Sequence, residues 1–182
     1  MKVISGKYKG RNLEGFNING TRPTMDRVKE SLFGMIQNYL PNSIVLDLFA
    51  GSGALAIEAL SEGAIKAYLV DSNPQAIKII NNNIEKLNIK DAKVIKNDFI
   101  KALEIFNQEN LKFDIIFIDP PYKTNYIEKS INLIDKYNLL NNNGIIVCES
   151  DEEDKIIYPE NYKNIKIKKY GDKMIVILEK LC

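Results

Sequence analysis

Ile44-Val45-Leu46-Asp47-Leu48-Phe49-Ala50-Gly51-Ser52-Gly53-Ala54 passes from an apolar run through a glycine turn straight into the helical pattern of Ala54–Leu60. Gly51 and Gly53 permit a tight turn and let the backbone approach a ligand closely. The helix start that follows offers unpaired N–H groups and partial positive charge. Read alone, this is a strand, a ligand-binding turn and a helix: the opening unit of an α/β sheet.

Outward from it, strand and helix patterns alternate. Ala67–Val70 reads as a strand and Pro74–Leu87 as a helix, with Ile77, Ile80, Ile84 and Leu87 at helical spacing. Lys93–Ile95, Phe113–Ile118 and Gly144–Cys148 read as further strands, separated by helical segments at Ile100–Phe106 and Ile127–Tyr137. Apolar strands alternating with helices predict a parallel sheet covered on both faces. Ile165–Lys168, the turn Tyr170-Gly171-Asp172-Lys173 and Met174–Leu178 predict an antiparallel hairpin at the sheet edge, which its lysines would protect. Upstream, Lys2–Lys9 and Arg11–Leu13 are expected to pair as a small hairpin. Thr24, after Pro23, is expected to cap a helix presenting Val28, Leu32, Ile36 and Tyr39 on one face. The 182 residues suit one domain, with a basic hairpin and helix over 1–40 and a Rossmann-like core over 41–182.

The strand ends carry the chemistry. Asp47 precedes the glycines; Asp71, with Ser72 beside it, ends the second strand and could accept both hydroxyls of a ribose. Asn97-Asp98 ends the third strand within reach of an adenine amino group. Asp119-Pro120-Pro121-Tyr122 ends the fourth. Two adjacent prolines cannot continue a ladder, so the chain must leave the sheet at Asp119. That stiff exit would hold a carboxylate, prolyl carbonyls and an aromatic ring where open α/β sheets bind ligands. The tetrapeptide looks like the motif of methyltransferases that alkylate exocyclic or amide nitrogens.

A rival reading uses the same turn. Gly51-Ser52-Gly53-Ala54-Leu55-Ala56 also fits a dinucleotide fingerprint, with Asp71 near the expected spacing. Asp47 argues against it, since a carboxylate repels pyrophosphate but suits a sulfonium or ammonium. The chain also has no histidine, which removes hydride-transfer sites of the usual kind, along with Ser-His-Asp and Cys-His hydrolysis. Cys148 and Cys182 have no metal-site spacing, so no metal is expected. No apolar run reaches the ~20 residues of a membrane span, which points to a cytoplasmic protein with no membrane contact. Residues 1–29 hold seven Lys or Arg (Lys2, Lys7, Lys9, Arg11, Arg22, Arg27, Lys29) against Glu14 and Asp26, a balance of +5 on a chain whose net charge is +1. Such an arm suits a nucleic-acid contact, or simply a solvated basic terminus.

The chain resembles the RsmD-type 16S rRNA guanine-N2 methyltransferases. The residues that carry this are Val3-Ile4-Ser5-Gly6, Lys9-Gly10-Arg11-Asn12-Leu13, Arg22-Pro23-Thr24-Met25-Asp26-Arg27-Val28-Lys29-Glu30-Ser31-Leu32-Phe33, the Asp47–Ala54 turn with Glu58-Ala59-Leu60, and Asp119–Tyr122. The Arg22–Phe33 stretch is the most specific of them. Tyr122 stands where the family often has Phe, and Asp71 fits the family's acidic position only loosely. The resemblance implies a class I methyltransferase fold with a mostly parallel seven-stranded sheet, S-adenosyl-L-methionine as cofactor, and methylation of a guanine amine in 16S rRNA, the family's guanine 966. It further implies a 30S assembly particle as partner and a monomeric enzyme. Asp119, Pro120 and Tyr122 are then the expected catalytic residues. Asp47, Phe49, Ala50, Gly51, Ser52, Gly53, Asp71, Ser72, Asn97, Asp98 and Asp119 would hold the cofactor. Lys7, Lys9, Arg11, Arg22, Thr24, Arg27, Pro121 and Tyr122 would hold RNA. Adenine-N6 nucleic-acid methylation and glutamine-amide methylation of a protein are the alternatives.

Overall fold

Five strands, β1 (Ile44–Asp47), β2 (Lys66–Asp71), β3 (Ala92–Lys96), β4 (Phe113–Ile118) and β5 (Leu140–Asp151), lie parallel, and β7 (Lys173–Lys180) pairs antiparallel with both β5 and β6 (Tyr162–Tyr170). The order is β3-β2-β1-β4-β5-β7-β6. The computed structural model describes residues 1–15, 22–151 and 155–182, apart from the side chains of 22–24. β1 sits between β2 and β4, so the chain reverses direction of build at their carboxyl ends, where a crevice opens for ligands.

Helices cover both faces because the strands are apolar on both. α1 (Arg22–Ile36) and α2 (Ala54–Ser61) bury Leu32, Phe33, Ile36, Ala56 and Ile57 with Val45, Ile115, Phe117 and Ile177 on one face, and α3 (Pro74–Lys86) adds Ile80. α4 (Phe99–Gln108) and α5 (Tyr126–Lys136) bury Leu103, Phe106, Ile131 and Ile134 with Leu46, Ile116 and Ile146 on the other. Pro74 opens α3 at the position where its missing N–H costs nothing, beside an Asn73 side chain that accepts from the Gln75 amide. Three helices end alike: Asn88, Asn110 and Asn138 take left-handed φ of 53°, 53° and 50° after α3, α4 and α5. The amides of Ile89, Leu111 and Leu139 then donate back to Ile84, Phe106 and Ile134. Asparagine does here what glycine does at most helix ends.

Several boundaries differ from expectation. α1 already includes Arg22, so Thr24 lies inside its first turn rather than capping it; the α-helix stops at Ile36, and Tyr39 falls in a 3₁₀ turn, Gln37–Tyr39. β5 is far longer than Gly144–Cys148, because Leu140 pairs with Phe113 across an irregularity at one end and Glu149–Asp151 pair with β7 at the other. The expected hairpin is present, but β7 inserts beside β5 and leaves the lysine-rich β6 as the edge. The amino-terminal hairpin is present but short: Lys2 stands opposite Asn12, the Val3 and Leu13 amides donate to the Arg11 and Met1 carbonyls, and a 3₁₀ turn at Gly6–Tyr8 closes it.

Candidate active site

The crevice is built from strand ends. Asp47 leaves β1, Asp71 leaves β2, Asp119 follows β4 and Glu149 lies near the end of β5. The glycine turn is fixed from both sides: Ala50 donates to the Val70 carbonyl at 2.8 Å, and Gly51 donates to Asp71 Oδ2 at 2.9 Å. Asp71 Oδ1 accepts from Asn73 at 2.8 Å. Asp71 thus ties the turn to β2 and still has lone pairs to offer a ribose. Gly53 has φ +79°, and a Cβ there would lie 3.0 Å from Leu69, so the turn needs glycine on both counts.

Asp47 is buried, and neither carboxylate oxygen has a hydrogen-bond partner. Burial raises its pKa to about 7, the Ala56 amide in the first turn of α2 lies near enough to pull it back, and Asp71 raises it further. A buried acceptor with nothing to accept is costly unless a cationic ligand supplies donors. The residues therefore fit S-adenosylmethionine, whose ammonium and sulfonium both carry positive charge. Phe49, Phe99 and Tyr126 form an aromatic wall beside the turn, with centroids 5.2 Å (Phe49–Phe99), 6.1 Å (Phe49–Tyr126) and 4.9 Å (Phe99–Tyr126) apart. Phe99 and Tyr126 escaped the sequence reading. Asp98 is the helix cap of α4, its Oδ1 accepting from Ile100 and Lys101 at 3.0 Å each, and Asn97 accepts from the Asp98 amide at 3.1 Å. Ser72 is exposed.

On the far side of the crevice stand Asp119, Glu149, Tyr122 and Lys173. Burial raises Asp119 to about 8; Glu149 raises it, Lys173 opposes, and Asp47 adds a further push. The Tyr122 ring is 45% exposed beside exposed Pro121, and Pro120 is buried beneath. The Tyr122 hydroxyl donates to Glu149 at 3.4 Å, while Lys173 bridges Glu149 and lies 5.3 Å from the Tyr122 ring centroid. Burial disfavours the Lys173 ammonium, but its bonds to Glu149 and Tyr122 outweigh that and hold its pKa high. Glu149 and Lys173 were also missed, although Glu149 follows an apolar strand just as Asp119 does. A separate pocket of about 210 Å³, lined by Tyr39, Pro41, Asn42, Ser43 and Asp114, opens at the other end of the strands and holds none of these residues.

The family model described as Conserved hypothetical protein 95 matches residues 1–179. The chain belongs to that family. It is 37% identical to Ribosomal RNA small subunit methyltransferase D of Haemophilus influenzae over 176 residues, covering 94% of this chain and 89% of that one. It is 33% identical to the Escherichia coli protein of the same name, over 84% of this chain and 76% of the relative. Among solved structures, the Escherichia coli protein yhhF, provisionally described as a methyltransferase, is 30% identical with a TM-score of 0.87, covering 100% of this chain and 98% of that one. The resemblance to RsmD-type methyltransferases, carried by Arg22–Phe33 and Asp119–Tyr122, is borne out, as is the fold class.

The basic arm is folded down, not loose. Glu58 of α2 accepts from the Ile4 and Ser5 amides at 2.9 Å each, and pairs with Lys29 at 2.8 Å; both charges are buried. Ser61 donates to the Ser5 carbonyl at 2.5 Å and accepts from the Tyr8 amide at 2.8 Å. Asn83, buried in α3, ties Glu14 to the Ser52 carbonyl, joining the arm to the glycine turn. Lys7 and Lys9 are exposed beside Ser61, about 10 Å along α2 from its first residue. Arg11 is exposed and reaches the Lys86 carbonyl at 3.5 Å. Lys29, counted in the basic arm, is 6% exposed and unavailable to a ligand. Ser31 meets Lys168 and Tyr170 near the crevice end of β6, and Tyr39 meets Glu179 near the opposite end of β7. α1 therefore points its first turns, with Arg22, Thr24 and the exposed Arg27, toward the crevice; the side chains of Arg22 and Thr24 lie outside the described residues.

Proposed function

We propose that this chain methylates the exocyclic N2 amine of a guanine in small-subunit ribosomal RNA, using S-adenosylmethionine. The observation that carries the reading is the pairing of two acids across one crevice: Asp47, buried with no partner, and Asp119, held at the proline exit of β4. The first suits a cationic cofactor; the second suits an amine that gains positive charge as it reacts. The names of the Haemophilus and Escherichia relatives support the ribosomal substrate.

Bound in the crevice, S-adenosylmethionine would supply an electrophilic methyl carbon on a positive sulfur. The protein's part is alignment and charge. Guanine N2 is a poor nucleophile because its lone pair is shared with the ring, so holding it in line is worth up to roughly 7–11 kcal/mol. Asp119 accepts a hydrogen bond from the amine and the Pro120 carbonyl is the second acceptor; both bonds strengthen as charge develops on nitrogen. The surplus proton on that nitrogen passes to the Asp119 carboxylate, whose raised affinity for it matches the task, and from there to solvent. Tyr122 offers an exposed ring on which an extruded base stacks, worth about 1–3 kcal/mol. Lys7, Lys9, Arg11 and Arg27 are exposed cations that steer the RNA backbone. The same reading takes a 30S assembly particle as partner, a cytoplasmic setting and a monomer; no helix among the described residues is long and apolar enough to cross a membrane.

The pyrophosphate rival fares worse, because it would bring phosphate charge beside Asp47. Two measurements test the proposal. S-adenosylmethionine, and not a nicotinamide dinucleotide, should raise the melting temperature. Mass mapping of 16S rRNA should find one N2-methylguanine missing from cells that lack the gene. An unchanged methylation map would overturn the substrate assignment.

A further inference from the structure

The pair Glu149–Lys173 is not needed to bind the cofactor or to accept from the amine, yet it stands beside Asp119. The register of β4 on β5 sets Phe117 beside Val147 and Ile118 beside Cys148. The next two residues, Asp119 and Glu149, therefore stand side by side and share a face of the sheet. Like charges on neighbouring strands are unfavourable. An ion pair between β5 and β7 alone does not explain that placement, since a partly exposed pair adds little stability and would serve equally well further from Asp119.

We infer that Glu149 is the residue that recognises guanine, accepting the N1–H next to the amine held by Asp119, and that Lys173 is the positioning residue for Glu149. The inference rests on the proposed guanine-N2 reading and adds the means of choosing the base. Guanine presents N2–H and N1–H as adjacent donors, and two neighbouring carboxylates are adjacent acceptors. Adenine presents a donor at N6 beside a lone pair at N1. With its amine on Asp119, that lone pair would face the Glu149 carboxylate, and the mismatch rejects it. An acceptor at Asp119 alone serves either base, so the choice must lie with a second group. Glu149 is placed for this by two contacts, the bridge to Lys173 and the Tyr122 hydroxyl at 3.4 Å, and those two partners are themselves held together by the Lys173 ammonium 5.3 Å from the Tyr122 ring. Because β7 pairs antiparallel to β5, with Lys173 opposite Asp151, the hairpin delivers that cation to the strand end where Glu149 lies.

The test compares two RNAs that differ only at the methylated position, which carries guanine in one and 2-aminopurine in the other. 2-Aminopurine keeps the C2 amine but has a lone pair at N1. Wild-type enzyme should prefer guanine by at least about 100-fold in kcat/KM. In Glu149→Gln the amide can donate to N1, and the preference should shrink below about tenfold. S-adenosylmethionine affinity, measured by calorimetry, should stay within about twofold of wild type. Lys173→Gln, which frees Glu149 without altering it, should also shrink the preference, and it decides the matter if Glu149→Gln does not fold. A preference unchanged in the variants, with both RNAs slowed alike, overturns the inference and leaves guanine methylation standing. Failure of wild type to methylate the guanine RNA at all overturns the guanine reading itself, and this inference with it.

Discussion

Asp119 and Asp47 both hold a proton more tightly than a free carboxylate, and each consequence can be measured. Asp119, raised by burial and then by Glu149 to about 8, must be ionised to accept from the amine. Turnover with RNA should therefore rise with pH toward that value and level off above it. Removing the neighbouring negative charge in Glu149→Gln should move the inflection down, and removing the positive one in Lys173→Met should move it up; three superimposed profiles would show that Asp119 does not titrate in the rate. Asp119→Ala should lower kcat by at least ~100-fold, the scale of losing one charge-stabilising group, with cofactor affinity nearly intact. Asp47, raised by burial to about 7 from an ordinary 3.8, binds a proton in the folded state that the unfolded chain has released. Stability present below the ordinary value is then lost as pH rises through about 7. Asp47→Asn should flatten that decline in melting temperature and weaken S-adenosylmethionine more than tenfold, and a decline of the same slope in the variant would contradict the assignment.

At the scale of elements, the arm and α2 behave as one unit. Gly6 has φ +76°, and a Cβ there would lie 1.8 Å from the Ser61 carbonyl oxygen. Gly6→Ala must push the arm off α2, which limited proteolysis near residue 10 should report. Lys29→Met leaves Glu58 buried without its counter-charge and should cost about 3–5 kcal/mol in denaturant unfolding; a loss below ~1 kcal/mol would mean that water enters the site. How much of this was legible follows the local signals. The parallel strands, the glycine turn and the Asp119 exit are written in apolar runs, glycines and prolines, and all three stand in the structure where the sequence places them. The hairpin was legible, but not the insertion of β7 beside β5, because pairing partners are chosen by tertiary packing. That one unknown hid Lys173. Glu149 directly follows the strand read over Gly144–Cys148, but no glycine or proline marks it as the others are marked. Lys29 was counted with the basic arm, since nothing local says that it will be buried against Glu58 of a neighbouring helix.

Over the whole molecule, charge is divided between a basic amino-terminal segment and a crevice lined by Asp47, Asp71, Asp119 and Glu149. On the proposed reading, the acids in the crevice would meet a cationic cofactor and an amine, and the exposed lysines outside would meet phosphate. Replacing Lys7, Lys9 and Arg11 with Gln should weaken RNA binding and flatten its dependence on salt by about one unit of slope per lost phosphate contact. An unchanged slope would make these three residues solvated charges only. Base choice and chemistry should survive that change, because both reside in the crevice. The central claim is that Asp119 directs a methyl group onto a guanine amine. Its most direct test is incubation of small-subunit RNA with S-adenosylmethionine and either wild-type or Asp119→Ala enzyme, followed by nucleoside mass spectrometry. N2-methylguanosine formed by wild type and absent with Asp119→Ala, at matched cofactor affinity, is the predicted result; N6-methyladenosine as the product, or full activity in Asp119→Ala, would contradict it.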